Sequence, residues 1–155
     1  MTPLSQLVEI EAIKRLKARY FRAIDTQDWP VWRDVFTEDA TLQGEFARSL
    51  GGFDGQLSPK VVGLDAIIAF VEPLVRNCIT VHHGHTAEID VVSELEAKGI
   101  WAMEDIVESH NRLLHGYGHY HETYRKVAGE WRIANLFLSR LKVTVTTTDR
   151  LGSVG

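Results

Sequence analysis

The chain is short of the features that mark several functional classes. Among its 155 residues there is one cysteine, Cys78, so no disulfide can form within it. That economy suits a reducing compartment, and a cytoplasmic location is the expectation. No segment approaches the roughly 18–20 consecutive apolar residues that span a bilayer. The N-terminus has no basic segment leading into an apolar run, as a signal peptide would. A membrane is therefore not an expected partner. Positive charge is scarce and unclustered: 17 Lys and Arg against 21 Asp and Glu give a formal charge of −4, so nucleic acid is not an expected partner either. No internal repeat and no low-complexity segment interrupts the chain.

What is present is an ordinary globular composition, 45% hydrophobic and 25% charged, long enough for one well-filled core. The expectation is a single domain over residues 1–148 with a loosely tied tail, 149–155. Thr2-Pro3 opens a first helix, a capping residue followed by proline at the first helical position. Leu7, Ile10, Ile13, Leu16, Tyr20 and Ile24 recur at three- and four-residue steps, one apolar face, with Glu9, Glu11, Lys14, Arg15 and Lys17 assigned to the other. This helix should end near Thr26. Asp28-Trp29-Pro30 restarts the chain into a short helix carrying Trp32, Val35 and Phe36. Thr37-Glu38-Asp39 reads as a break, and residues 40–46 as a strand.

Residues 48–59 hold Gly51, Gly52, Gly55 and Pro59, which spell a loop, either a lid or a plain excursion. Leu64 to Val75 follow as a third amphipathic helix that Pro73 should kink or shorten. From Ile79 onward the pattern changes to strands, with 86–92, 98–108, 113–127 and 131–148 as the strand segments and Ala128-Gly129-Glu130 as a hairpin turn. Trp101, Met103 and Asp105 share one face of their strand. The sum is an α+β architecture: three N-terminal helices packed in a strongly curved mixed or antiparallel sheet, a cone with an apolar interior.

Asp25 is the unusual residue of the first helix. It sits in the last turn, where the helix dipole disfavours a carboxylate. Either it is exposed and the cost is small, or it is turned inward to orient another group. The order of motifs bears on this choice: a helix, Asp25-x-x-Asp28-Trp29, a short helix, Phe36-Thr37-Glu38-Asp39-Ala40, the Thr80-Val81-His82-His83-Gly84 segment, then Gly118-x-Tyr120-x-Glu122-x-Tyr124-Arg125-Lys126 and a turn before Trp131-Arg132-Ile133. From residue 5 to about 143 this order resembles the SnoaL-like branch of the nuclear-transport-factor-2-like superfamily, whose fold is the cystatin-like cone. Within the branch it is similar to scytalone dehydratase and hexachlorocyclohexane dehydrochlorinase.

The resemblance implies a catalytic pair, His82 as general base oriented by Asp25, working without cofactor or metal. A neutral imidazole can take a proton near neutral pH, and a carboxylate fixes its tautomer. It implies elimination or isomerisation on a small hydrophobic cyclic substrate. Tyr20, Trp101, Met103, Tyr120 and Asn135 are the substrate-binding candidates, with Asp105 and His115 as further ones. Gly116, Gly118, Tyr120 and Glu122 would face the cavity, and His119 and His121 would face outward. Two features depart from the relatives: Ile24 stands where the dehydratase has a tyrosine, and around Asn135-Leu136 there is no cation to receive a halide. Assembly into a homodimer or homotrimer through the outer sheet face is also implied. The superfamily holds two other kinds of protein: non-catalytic binders of small hydrophobic ligands, and structural small subunits of ring-hydroxylating oxygenases.

Overall fold

A computed structural model of the chain describes residues 1–46 and 57–147. Helix α1 spans Pro3–Asp25, α2 Trp29–Arg33 and α3 Leu64–Val75; the strands are β1 Phe36–Gly44, β2 Val61–Val62, β3 Ile79–Val91, β4 Glu96–Ser109, β5 Arg112–Val127 and β6 Glu130–Thr147. One six-stranded sheet runs β2-β1-β6-β5-β4-β3. The β1–β6 pair is parallel and the remaining neighbours are antiparallel, so the sheet is mixed and open. The architecture is the expected α+β one. The lid expected within 48–59 falls, for residues 48–56, outside the described residues, and so does the tail at 149–155.

Local chemistry accounts for the element ends. Thr2 caps α1 through its side-chain oxygen, which accepts from the Ser5 amide at 3.1 Å. At the other end Gln27 takes a positive φ of 54°. The Asp28 amide reaches back to the Ala23 carbonyl at 2.8 Å and the Gln27 amide to Ile24 at 3.1 Å, the double bond pattern of a Schellman stop. The β5–β6 turn is two residues, Ala128 and Gly129, both at positive φ, as a tight hairpin with right-handed strand twist needs. Pro73 lies in the last turn of α3, which runs two residues past it.

Two features differ from the sequence expectation, both in β1. Strand β1 starts at Phe36, because Phe36 pairs with Ile133 and packs on Trp32 at 4.8 Å between ring centroids. The polar Glu38 and Asp39 sit exposed within a register shift between Phe36 and Thr41, so Thr37-Glu38-Asp39 bulges rather than breaks the strand. Strand β3 begins at Ile79, where the strand pattern sets in, and it holds His82, His83 and His85. Its own register shift falls between Gly84 and Ala87. The core lies between α1, α3 and the inner sheet face and is centred on Ile13, Leu16, Trp32, Ile67, Ile133 and Leu136.

Candidate functional site

Alternation along β3 decides the first part of the site. Thr80 and His82 are two residues apart, so both point to the inner face, where the end of α1 crosses them. Asp25, the last residue of that helix, receives both. His82 Nδ1 lies 2.6 Å from Asp25 Oδ1, the Thr80 hydroxyl donates to the same oxygen at 2.9 Å, and the His82 backbone N–H donates to Oδ2 at 2.8 Å. Three donors thus offset the unfavourable helix end, each worth about 1.5–3 kcal/mol where an ionised acceptor is shielded from water. Asp25 is turned inward to hold an imidazole. A carboxylate partner at Nδ1 places the proton there and leaves Nε2 unprotonated in the neutral ring.

The His82 ring forms part of the wall of a cavity of about 300 Å³. Most of the wall is apolar, including Ile24, Leu42, Phe70, Val71 and Leu138; the polar members are His82, Tyr20, Tyr120, Asp105 and Arg140. With Nδ1 committed to Asp25, Nε2 is the nitrogen available to a ligand. Tyr20 and Tyr120 meet edge to face, with ring centroids 6.1 Å apart. Burial, and after it the Glu122 carboxylate, pushes the Tyr20 phenol far above its usual range; burial does the same to Tyr120. Both hydroxyls stay protonated and can act as donors.

Arg140 is the member the sequence reading missed. Its guanidinium grips Asp105 with two parallel bonds, Nη1 to Oδ1 at 2.7 Å and Nη2 to Oδ2 at 2.8 Å, with both side chains at least 95% buried. The strand phase explains the omission. A register shift between β5 and β6 at Thr123/Tyr124 changes the alternation of β6 ahead of Leu136. Beyond it, Leu136, Leu138 and Arg140 share the inner face. Asn135 falls on the outer face, where its amide donates to Thr41 Oγ1 at 2.5 Å, so it is not a cavity residue. A cation does stand in the final strand: Arg140, five residues beyond Asn135.

Two other candidates are displaced. His115 pairs across the sheet with Ile106 on the outer face, stacks on Tyr117 at 4.7 Å and meets Glu104 at 2.6 Å. It lies outside the cavity, because alternation puts its neighbours Leu114 and Gly116 on the inner face. Trp101 and Met103 do share the inner face with Asp105, but only Asp105 reaches the cavity. Met103 packs with its sulfur 3.6 Å from Arg140 Nη1. Trp101 Nε1 donates to Tyr124 at 2.8 Å, and Tyr124 donates to Glu122 at 2.5 Å.

The same Glu122 forms an ion pair with Lys17, a residue assigned by sequence to the exposed side of α1 and found completely buried. The Lys17 ammonium stands 4.0 Å from the Tyr20 ring centre and 3.8 Å from that of Tyr120, behind the cavity wall. Burial lowers its pKa and Glu122 opposes that shift. Its position three residues before Tyr20 and four after Ile13 is the spacing that could have revealed it. His119 and His121 face outward, with His121 Nε2 3.0 Å from Ser139 Oγ. Among the described residues no three His, Cys, Asp or Glu side chains are arranged to hold a metal ion. None of the described helices is long and apolar enough to cross a membrane.

Comparison with known proteins bears on the family and the fold. Residues 5–136 match the family model described as a SnoaL-like domain. A protein of Gibberella zeae named as a probable cyclase is 29% identical over 133 residues, which are 83% of this chain and 89% of that one. A solved structure from Novosphingobium aromaticivorans, provisionally described as a scytalone dehydratase, superposes with a TM-score of 0.78 at 24% identity, covering 99% of this chain and 100% of that one. A type 2 hexachlorocyclohexane dehydrochlorinase superposes with a TM-score of 0.75 at 15% identity, covering 94% and 93%. At those identities the structural likeness carries the fold, which is the cystatin-like one. The family match extends over most of the sequence, and the chain belongs to the SnoaL-like domain family.

Proposed function

We propose that the chain is a cofactor-independent enzyme that moves a proton at carbon in a small hydrophobic cyclic molecule, as a dehydratase-like lyase or an isomerase. The observation that carries this is the 2.6 Å contact between Asp25 and His82 Nδ1 on a largely apolar cavity wall. His82 Nε2 takes a proton from a carbon beside a carbonyl, and Asp25 stabilises the imidazolium that results. The hydroxyl of Tyr20 or Tyr120 donates to the oxygen on which negative charge develops. For elimination, the imidazolium returns its proton to a hydroxyl on the neighbouring carbon. The C–O bond breaks, a C=C bond forms and water leaves. For isomerisation, the same proton returns to a different carbon. Both end with His82 neutral.

The test is turnover of neutral cyclic β-hydroxy ketones, read as the new conjugated absorbance, in the native chain and in His82→Ala. The expected loss is about 10²- to 10⁴-fold, the usual contribution of a positioned base. Equal turnover in both would remove His82 from the chemistry. Ligand affinity that survives His82→Ala combined with Asp25→Asn, with no turnover in the native chain, would make the protein a binder. Assembly into a homodimer or trimer is part of the same proposal. The exposed Ile79, Ile100 and Leu141 favour burial of that sheet, and a monomer in sedimentation would count against it.

A further inference from the structure

The cavity has basic side chains in and behind its wall, and each has its own carboxylate. His82 is held by Asp25, Arg140 by Asp105 and Lys17 by Glu122. Among the described residues no unpaired positive charge faces the interior. The Arg140 pair is the most telling of the three. An arginine at the end of an apolar cavity is a ready receptor for a carboxylate, a phosphate or a departing halide. Here the face of the guanidinium that would grip such an anion is already occupied by Asp105, two bonds deep. The Arg140 Nε is turned away to the Glu45 carbonyl at 3.4 Å, and its backbone N–H donates to the Glu45 carboxylate. The fold makes room for the pair: strand β5 has Gly116 opposite Asp105, and a side chain there would collide with both partners.

We infer that Asp105 sets the charge selectivity of this cavity: by occupying the fork of Arg140 it reserves the site for uncharged, oxygen-bearing hydrophobic ligands and shuts out anions. An anion entering would leave water without gaining an unpaired cation, a cost that a neutral ligand of the same shape avoids. The polar groups left to a ligand are the two phenol donors and the His82 acceptor, which suit a carbonyl and a hydroxyl rather than a carboxylate. The inference rests on the reading of this cavity as the substrate site. It also separates the eliminations that reading leaves open, because a hydroxyl can depart as neutral water and a halide cannot.

The test compares 2-naphthol with 2-naphthoate, the same ring system with and without a charge, by calorimetric titration at neutral pH. The native chain is expected to bind 2-naphthol at least about tenfold more tightly, and Asp105→Asn, which frees the guanidinium, to reverse that preference. Binding of 2-naphthoate by the native chain as tight as 2-naphthol overturns the inference. So does the absence of 2-naphthol binding, or a ratio unchanged in Asp105→Asn. The native comparison needs no variant, so a fold lost in Asp105→Asn does not rescue the idea. Selectivity is read as equilibrium binding in the native chain and needs no turnover, so a failure of the base chemistry and a failure of the selectivity are seen separately.

Discussion

A methyl group placed on Gly116 would stand 2.4 Å from Arg140 Nη1 and 2.4 Å from Asp105 Oδ1. The strand between the two charged residues thus owes its passage to having no side chain. Gly116→Ala should push the ion pair towards the cavity. It is expected to destabilise the fold by about 1–3 kcal/mol, as overpacking does, and to weaken 2-naphthol binding. Urea denaturation with titration of the same variant checks both, and an unchanged affinity would show that the pair had room elsewhere.

Thr80 holds the second relationship that matters for the base. Its hydroxyl shares Asp25 Oδ1 with the imidazole. Thr80→Val keeps the shape and removes the donor, which should cost about 1.5–3 kcal/mol of stability and leave the carboxylate freer to turn. The catalysed rate should fall, and Thr80→Ser should restore most of it. Equal loss in both variants would point to packing rather than the hydroxyl.

Lys17 and Glu122 are completely buried. Removing one partner strands the other's charge in the core, so Lys17→Met should cost about 3–5 kcal/mol, whereas Lys17→Met combined with Glu122→Leu should recover most of it. Chemical denaturation of the two variants and the native chain closes this comparison.

Glu9 gives an acid-sensitive contribution. The Lys126 ammonium at 2.7 Å and the Trp131 indole at 2.6 Å hold its carboxyl below the ordinary value of 4.5. A carboxyl depressed in the folded state binds protons more readily in the unfolded one. Its stabilisation is therefore fully present above pH 4.5 and fades as pH falls through the lower folded value. The native chain should exceed Glu9→Gln by about 1 kcal/mol near neutrality, and the gap should close in acid. Melting curves of both proteins against pH measure it; a gap that widens in acid would reverse the sign.

Much of this was legible from spacing. The apolar step of α1 from Ile13 onward, the capping Thr2-Pro3, the Ala128-Gly129 turn and the inner phase of Trp101, Met103 and Asp105 follow from local pattern, whereas Leu7, placed on the same helix face, is exposed. The Asp25–His82 pair came from the order of motifs; local rules flagged only that Asp25 was misplaced for its helix end. Three things were hidden for definite reasons. The β6 register shift broke the count of alternation, so Asn135 was placed inside and Arg140 was overlooked. Asp105 was itself the clue, because a buried carboxylate needs a cationic partner. Lys17 was misassigned because charge outweighed position on the helix wheel, although it lies between Ile13 and Tyr20. His115 was one residue out of phase with Gly116.

The central claim is that His82 takes a proton from carbon inside this cavity, and it can be measured without knowing the natural substrate. Proton NMR would follow exchange of the C–H groups beside the carbonyl of 2-tetralone, a neutral bicyclic ketone, in deuterated water. The account predicts exchange well above buffer with the native chain and a fall of about 10²- to 10⁴-fold in His82→Gln. Exchange at buffer rate with the native chain, or at the native rate in His82→Gln, would contradict it.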